Sequence, residues 1–264
     1  MPETNEPSAR VVIRFDAPIA TIVLNDPDRR NAMSHGLFDD LERCLDQLDS
    51  ATDSKSCHVL RIRGEGPAFC AGFDLGAMAE GALPTFLERL GAICRRLRHL
   101  DAVVVAEVHG PALAGGCALV SACDIVHAGP EAAFGYPVHR LGISPAVSLA
   151  TLVPGTSPGA ARALTLSGEF LDAETAVEIG LAAAAHADRG TLEDAVATLC
   201  DRLAAMDATT LRATKRFQNE LDGTIDTRVF ARSLAASLAT ADSAEFQTRI
   251  DAVMAKKRAP GDRG

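Results

Sequence analysis

Two glycine-bearing stretches hold the groups best placed to do chemistry: Phe69-Cys70-Ala71-Gly72-Phe73-Asp74 and Ala112-Leu113-Ala114-Gly115-Gly116-Cys117. Glycine lets a ligand carbonyl come close to the main chain. Gly115 and Gly116 fall where a turn-rich loop runs into an apolar helical segment. Amides that open a helix have no partner in its first turn, and the helix dipole favours negative charge there. Such donors suit an oxyanion developing on a carbonyl, and each is worth about 3 kcal/mol in a preorganised hole. Taken alone, however, Gly72, Gly115 and Gly116 fit turn and packing roles better, because glycine pairs mostly mark loops.

Side chains able to move a proton are scarce. His139 titrates in a suitable range, but it neighbours Val138 in an extended segment, where adjacent side chains point to opposite faces. A surface or interface histidine is the better reading. Tyr136, the only tyrosine, shares a face with Val138 and reads as a packing residue. Glu107 and His109 alternate onto one strand face at the mouth of the glycine-rich loop, as a charge pair with a structural role. Ser121 and Ser144 have no evident activating base, and no nucleophilic triad emerges. The cysteines at 44, 57, 70, 94, 117, 123 and 200 form no CxxC pair. That pattern points to reduced thiols rather than disulfides or zinc. No metal-ligand cluster or dinucleotide fingerprint implies a metal or redox cofactor.

The elements that must position these residues follow from periodicity. Val11–Phe15 and Ile19–Leu24 read as a hairpin around Asp16-Ala17-Pro18. Ser34 is the expected N-cap of a helix reaching about Leu48, with Leu37, Leu41, Cys44, Leu45 and Leu48 as its apolar stripe. Cys57–Arg63 is the next strand, Pro84–Leu100 a helix and Ala102–Val108 a strand buried on both faces. Cys117–Cys123 is a short helix and Ile125–His127 a small strand. Beyond Pro145 strand signals vanish. Helices are expected at Gly159–Ser167, Ala173–Ile179, Leu192–Ala205, Ala208–Glu220 and Arg228–Ala255. The pattern gives an α/β core followed by a helical tail, divided at 11–200 and 201–258.

With 264 residues, 47% of them hydrophobic and 23% charged, the chain has an ordinary globular balance. A net charge of −9 argues against a large nucleic-acid surface. Lys256-Lys257-Arg258 is the one dense basic run and reads as a solvated helix end. The polar start at Met1–Arg10 does not resemble a signal peptide, and no apolar run reaches membrane-spanning length. A soluble, cytoplasmic protein is expected.

Three stretches carry a family resemblance: Asn25 through Ser34, Gly64 through Leu75, and Val108 through Cys117, continuing to Ala122-Cys123-Asp124. Phe134-Gly135-Tyr136-Pro137, Leu141-Gly142-Ile143, Leu166-Ser167-Gly168-Glu169, Ala176 through Leu181 and Ala213-Thr214-Lys215 extend it in order and register. Together they resemble the crotonase (enoyl-CoA hydratase/isomerase) superfamily from about Val11 to Lys257. The resemblance implies a ββα-spiral core, a helical C-terminal region used in trimerisation, and a homotrimer or dimer of trimers. It also implies an acyl-CoA thioester ligand, coenzyme A entering with the substrate rather than as a cofactor. Its two oxyanion-hole amides would belong to Phe73 and Gly115. Coenzyme A would run along Arg30, Ala32, Ala68, Ala71, Asp74 and Leu75, with Gly116 beside them. An arginine suits phosphate recognition, whereas Asp74 reads better as a helix cap than as a catalytic group.

One departure from the family pattern bears on activity. The places where a family hydratase carries its two glutamates hold Ala118 and Val138. Neither side chain moves a proton, and general acid–base assistance is worth about 10²–10⁴-fold. Ordinary hydration is therefore expected to be crippled. The readings left open are a divergent reaction through a thioester enolate such as decarboxylation, an inactive acyl-CoA-binding homologue, and a partner in mixed oligomers.

Overall fold

The computed structural model describes residues 9–53, 56–241 and 243–258. Strands β1 (Val11–Asp16) and β2 (Ile19–Leu24) form the expected antiparallel hairpin. Ser34 caps α1 (His35–Asp53), its Oγ accepting from the Leu37 amide at 3.3 Å, and the leucine stripe is buried throughout. β3 (Val59–Gly64) follows, then the single turn α2 (Leu75–Ala77), a π-helical stretch Met78–Ala82 and α3 (Leu83–His99). β4 (Val103–Val108) leads to β5 (Ala112–Leu113), α4 (Gly115–Ser121), β6 (Ile125–Ala128) and β7 (Phe134–Gly135). The remainder is α5 (Ala146–Gly155), α6 (Pro158–Ser167), β8 (Phe170–Leu171), α7 (Ala173–Glu178) and β9 (Ala184–Ala185). Four helices end the described chain: α8 (Arg189–Ala204), α9 (Ala208–Leu221), α10 (Thr227–Ala241) and α11 (Ala244–Arg258).

The larger sheet has the order β1-β2-β3-β4-β6-β9 and is parallel from β2 onward; β5-β7-β8 form a smaller one. Strand alternation divides the core. Leu60, Ile62, Val104 and Ala106 face α1 and α3, whereas Val59 and Val105 meet Leu192, Val196 and Leu199 of α8. Because helices cover both faces, the strands read as continuous apolar runs rather than alternating ones.

Several boundaries differ from the sequence reading for identifiable reasons. Strands do occur beyond Pro145, but β8 and β9 are two residues each, too short to show a period. Ala184 and Ala185 lie in an Ala-rich run that favours helix locally, and pairing with β6 overrides that preference. Helix α5 was not expected, with Pro145 before it and Pro154 inside it. The single helix read over 228–255 is two, because Ser243 caps α11 through its Oγ and the Phe246 amide at 3.1 Å. Of the basic run near the end, only the Lys256 side chain is among those described.

The helical tail is tied into the core through buried polar groups. Lys215 Nζ pairs with Asp124 at 2.8 Å and donates to the Leu97 and Ala102 carbonyls at 3.0 and 2.8 Å. Burial pushes the Lys215 pKa down and the Asp124 carboxylate opposes that shift. On α10, the Ser237 hydroxyl accepts from the Val147 amide and donates to the Ser144 carbonyl, each at 2.8 Å, so α10 fixes the chain entering α5. Among the described residues no helix is long and apolar enough to cross a membrane.

Candidate functional site

The site is assembled by main-chain links between the three conspicuous stretches. Arg30 and Asn31 both take left-handed backbone, at φ 54° and 53°. Asn31 tolerates that conformation, and its fully buried side chain bridges two loops. Its Nδ2 donates to the carbonyls of Glu65, Ala68 and Phe69 at 2.9, 2.9 and 3.1 Å, and its Oδ1 accepts from the Asp26 amide at 2.8 Å. Sequence reasoning gave Asn31 no role; its only signal was its place inside the first motif. The Ala71 amide donates to the Arg30 carbonyl at 3.0 Å, and the Met33 amide to the Gly72 carbonyl at 2.8 Å. Asp74 caps α2 as expected, accepting from the Ala77 amide at 2.8 Å, and also pairs with Arg29 at 2.5 Å.

Gly72 needs to be glycine. Its φ is +91°, and a Cβ there would lie 3.0 Å from the Leu113 carbonyl oxygen. This close approach brings Phe73 beside the start of α4, where Ala114 also holds a positive φ of 49°. An added Cβ on Gly115 would sit 3.2 Å from Phe73 Cε1. A Cβ on Gly72 would also lie 3.6 Å from the Gly115 nitrogen, and neither the Phe73 nor the Gly115 amide donates to an acceptor among the described residues. Gly116 is different: its Cβ would fall 2.2 Å from the Cys70 carbonyl oxygen, so chain packing alone requires glycine there.

Behind these amides opens a cavity of about 240 Å³. Phe73, Leu75, Leu87, Leu90, Val138, Leu141, Ile143 and Val147 supply its apolar lining. The Phe73 ring packs against Phe86 in a tilted arrangement, the ring centroids 5.5 Å apart and the planes at 54°. No Asp, Glu, His, Lys or Arg lines this cavity among the described residues; its polar side chains are Tyr136, Ser144 and Ser148. An apolar pocket with a few convergent donors at its mouth is the form of a small-molecule site.

The other sequence candidates divide. Ala71 and Leu75 line the cavity with Phe73 and Gly115. Arg30, Ala32, Ala68 and Asp74 lie in the linked loops and not on the cavity wall. Val138 lines it, and Ala118 is fully buried one helical turn beyond Gly115. His139 is exposed, its ring Nε2 2.7 Å from the Thr165 carbonyl oxygen, and does not reach the cavity. The expected Glu107–His109 pair does not form. Glu107 takes Arg61 instead, with Nε at 2.7 Å, because β3 and β4 are neighbours in the sheet. His109 Nε2–H donates to the Gly66 carbonyl at 2.9 Å, and its Nδ1 is buried without a partner.

That arrangement has a pH consequence. Burial pushes the His109 pKa below its ordinary 6.5, Arg189 and Arg63 act in the same sense, and the Gly66 hydrogen bond and Glu107 oppose. The unfolded chain therefore takes up the proton before the folded one. Stability contributed by neutral His109 is complete above about pH 6.5 and declines as pH falls below it. His127 is shifted the same way, by burial and then by His186 and Arg202. Urea unfolding at about pH 7.5 and about pH 5.5 should show lower stability at the acid end. His109→Gln should reduce that difference; an unchanged difference would show that His109 does not titrate on folding.

Known proteins resemble this chain in sequence and in fold. A family model described as enoyl-CoA hydratase/isomerase matches residues 14–260. The 2,3-dehydroadipyl-CoA hydratase of Escherichia coli K12 is 32% identical over 210 residues, covering 79% of this chain and 81% of the relative. The crystal structure of an enoyl-CoA hydratase from Mycobacterium avium aligns with a TM-score of 0.80 at 30% identity, covering 94% of this chain and 97% of the other. An enoyl-CoA hydratase/isomerase from Mycobacterium paratuberculosis aligns with a TM-score of 0.82 at 26% identity, covering 92% and 98%.

Proposed function

The chain belongs to the enoyl-CoA hydratase/isomerase family, and on that footing we propose that it binds acyl-CoA thioesters between the Phe73 and Gly115 amides. The acyl chain occupies the apolar cavity, and the thioester oxygen accepts from both main-chain donors. The observation that carries this reading is that Phe73 and Gly115, whose amides have no acceptor among the described residues, both line that cavity. Coenzyme A lies along the loops joined by Asn31, with Arg30 toward phosphate and Ala32, Ala68, Ala71 and Leu75 offering main chain. The Asp74 side chain is engaged by Ala77 and Arg29, its amide by the Met33 carbonyl and its carbonyl by the Met78 amide, so Asp74 shapes the loop instead of meeting the ligand. The protein works in the cytoplasm as a homotrimer or dimer of trimers, with the helical tail supplying contacts.

Two preorganised donors stabilise an enolate oxygen without moving a proton themselves. Hydration needs a base for water and an acid for the α-carbon, and Ala118 and Val138 supply neither. Decarboxylation fits better: the bond to the leaving carboxylate breaks, CO₂ departs, and the electron pair passes into the enolate held by the amides. Water then protonates the α-carbon. The absence of acidic and basic side chains from the cavity wall among the described residues favours a second reading, a thioester-binding homologue without turnover.

Calorimetric titration with butyryl-CoA beside free coenzyme A tests the shared core of both readings. Each buried methylene contributes about 0.8 kcal/mol, so butyryl-CoA should bind more than about tenfold tighter. Equal affinities, or no binding by folded protein, would exclude acyl recognition by this cavity.

A further inference from the structure

Tyr136 and Ser148 form a pair of buried hydroxyls that the proposed thioester chemistry does not use. Tyr136, in the segment joining β7 to the Pro137–Leu141 turn, is 1% exposed; Ser148, in α5, is 2% exposed. Both line the acyl cavity. The Tyr136 hydroxyl is closed off from solvent and completes no hydrogen bond, although the Cys117 thiol and the Ser148 hydroxyl lie beside it. The main chain of Ser148 is satisfied, its amide by the Pro145 carbonyl at 3.0 Å and its carbonyl by Thr151 Oγ1 at 3.3 Å. Its hydroxyl completes no hydrogen bond among the described residues.

A buried hydroxyl without a partner opposes folding, and native structures hold few of them. Phenylalanine at 136 would fill the same space without that penalty. Cys117 offers little relief, because burial pushes its thiol up to about 12 and a neutral thiol accepts weakly. An oxygen on the ligand would satisfy both groups.

We propose that Ser148 and Tyr136 recognise an oxygen on the acyl chain beyond the thioester carbonyl, so that the cavity selects oxygenated acyl-CoA thioesters over plain alkyl ones. Ser148 Oγ–H donates to that oxygen, and Tyr136 Oη–H donates in turn to Ser148 Oγ. The ligand oxygen is a hydroxyl or a ketone farther along the chain than any leaving carboxylate, since a carboxylate held at rest would need a cation and none lines the cavity among the described residues. The rest of the wall is hydrocarbon and places the remaining chain without directing it. This inference rests on acyl-CoA binding at the cavity.

The test compares hexanoyl-CoA with 3-, 4- and 5-hydroxyhexanoyl-CoA on the full chain, as wild type, Tyr136→Phe and Ser148→Ala. Wild type should bind at least one hydroxy isomer more tightly than hexanoyl-CoA. In either variant the affinity ratio of that isomer to hexanoyl-CoA should fall about tenfold, the effect of losing one buried hydrogen bond. The double variant should lose little more than one single variant, as a relay requires. Wild type that binds no hydroxy isomer more tightly than hexanoyl-CoA, or variants whose ratio stays at the wild-type value, would overturn the proposal while leaving acyl-CoA binding in place. If hexanoyl-CoA and all its hydroxy isomers fail to bind folded wild type, thioester binding itself is wrong and the inference falls with it. Thermal melting keeps the variants interpretable, since Tyr136→Phe should melt no lower than wild type.

Discussion

Gly115→Pro should abolish polarisation of a bound thioester carbonyl and slow any enolate-forming turnover by about 10²–10³-fold. The substitution deletes the N–H that the hole needs. Gly115 is the first residue of α4, where the amide has no acceptor within the helix, so proline breaks no helical hydrogen bond. Crowding is the competing effect. A Cβ at 115 lies 3.0 Å from Met33 Sδ and 3.2 Å from Phe73 Cε1, and Ala114 already holds an unusual backbone angle. Gly115→Ala carries the crowding and keeps the donor, so it should retain most of the wild-type behaviour. The readout is the red shift of a chromophoric cinnamoyl-CoA on binding, which reports donors at the carbonyl whether or not the protein turns over. A folded proline variant with the wild-type red shift would remove Gly115 from the oxyanion hole.

The second large effect runs the other way. Restoring carboxylates as Ala118→Glu together with Val138→Glu should raise crotonyl-CoA hydration by about 10²–10⁴-fold over the unmodified protein. Val138 lines the cavity and is only partly buried, so a glutamate there meets the ligand with modest strain. Ala118 is fully buried, one turn along α4 from Gly115, and a carboxyl at that depth has a raised pKa and lowers stability. The double variant should therefore gain rate and melt lower than Val138→Glu alone. No gain from a folded double variant would show that the cavity no longer presents a thioester to those two positions.

Legibility in the sequence follows how each feature is encoded. The α1 stripe and the β4 run show because their periods are long enough to register, and Ser34 shows because a cap is a local signal. Two-residue strands such as β9 exist only through their partners and leave no local trace. The Asp74 cap was readable for the same local reason as Ser34. Asn31 was not, since its work is done by side-chain bonds to carbonyls more than thirty residues away. The hydroxyl pair at Tyr136 and Ser148 was equally hidden, because α5 itself was not expected. The redirection of Glu107 to Arg61 depends on strand order, which residue pattern alone does not supply.

A chain that holds an acyl-CoA thioester without the two carboxylates that hydration requires should bind crotonyl-CoA and leave it unhydrated. The most direct test is loss of enoyl-thioester absorbance when the unmodified protein is given crotonyl-CoA, run beside an active family hydratase at equal concentration. No hydration above the uncatalysed rate is expected from protein that binds the thioester. Turnover approaching that of the active hydratase would contradict that expectation, and would mean that a group outside the two replaced positions moves the proton.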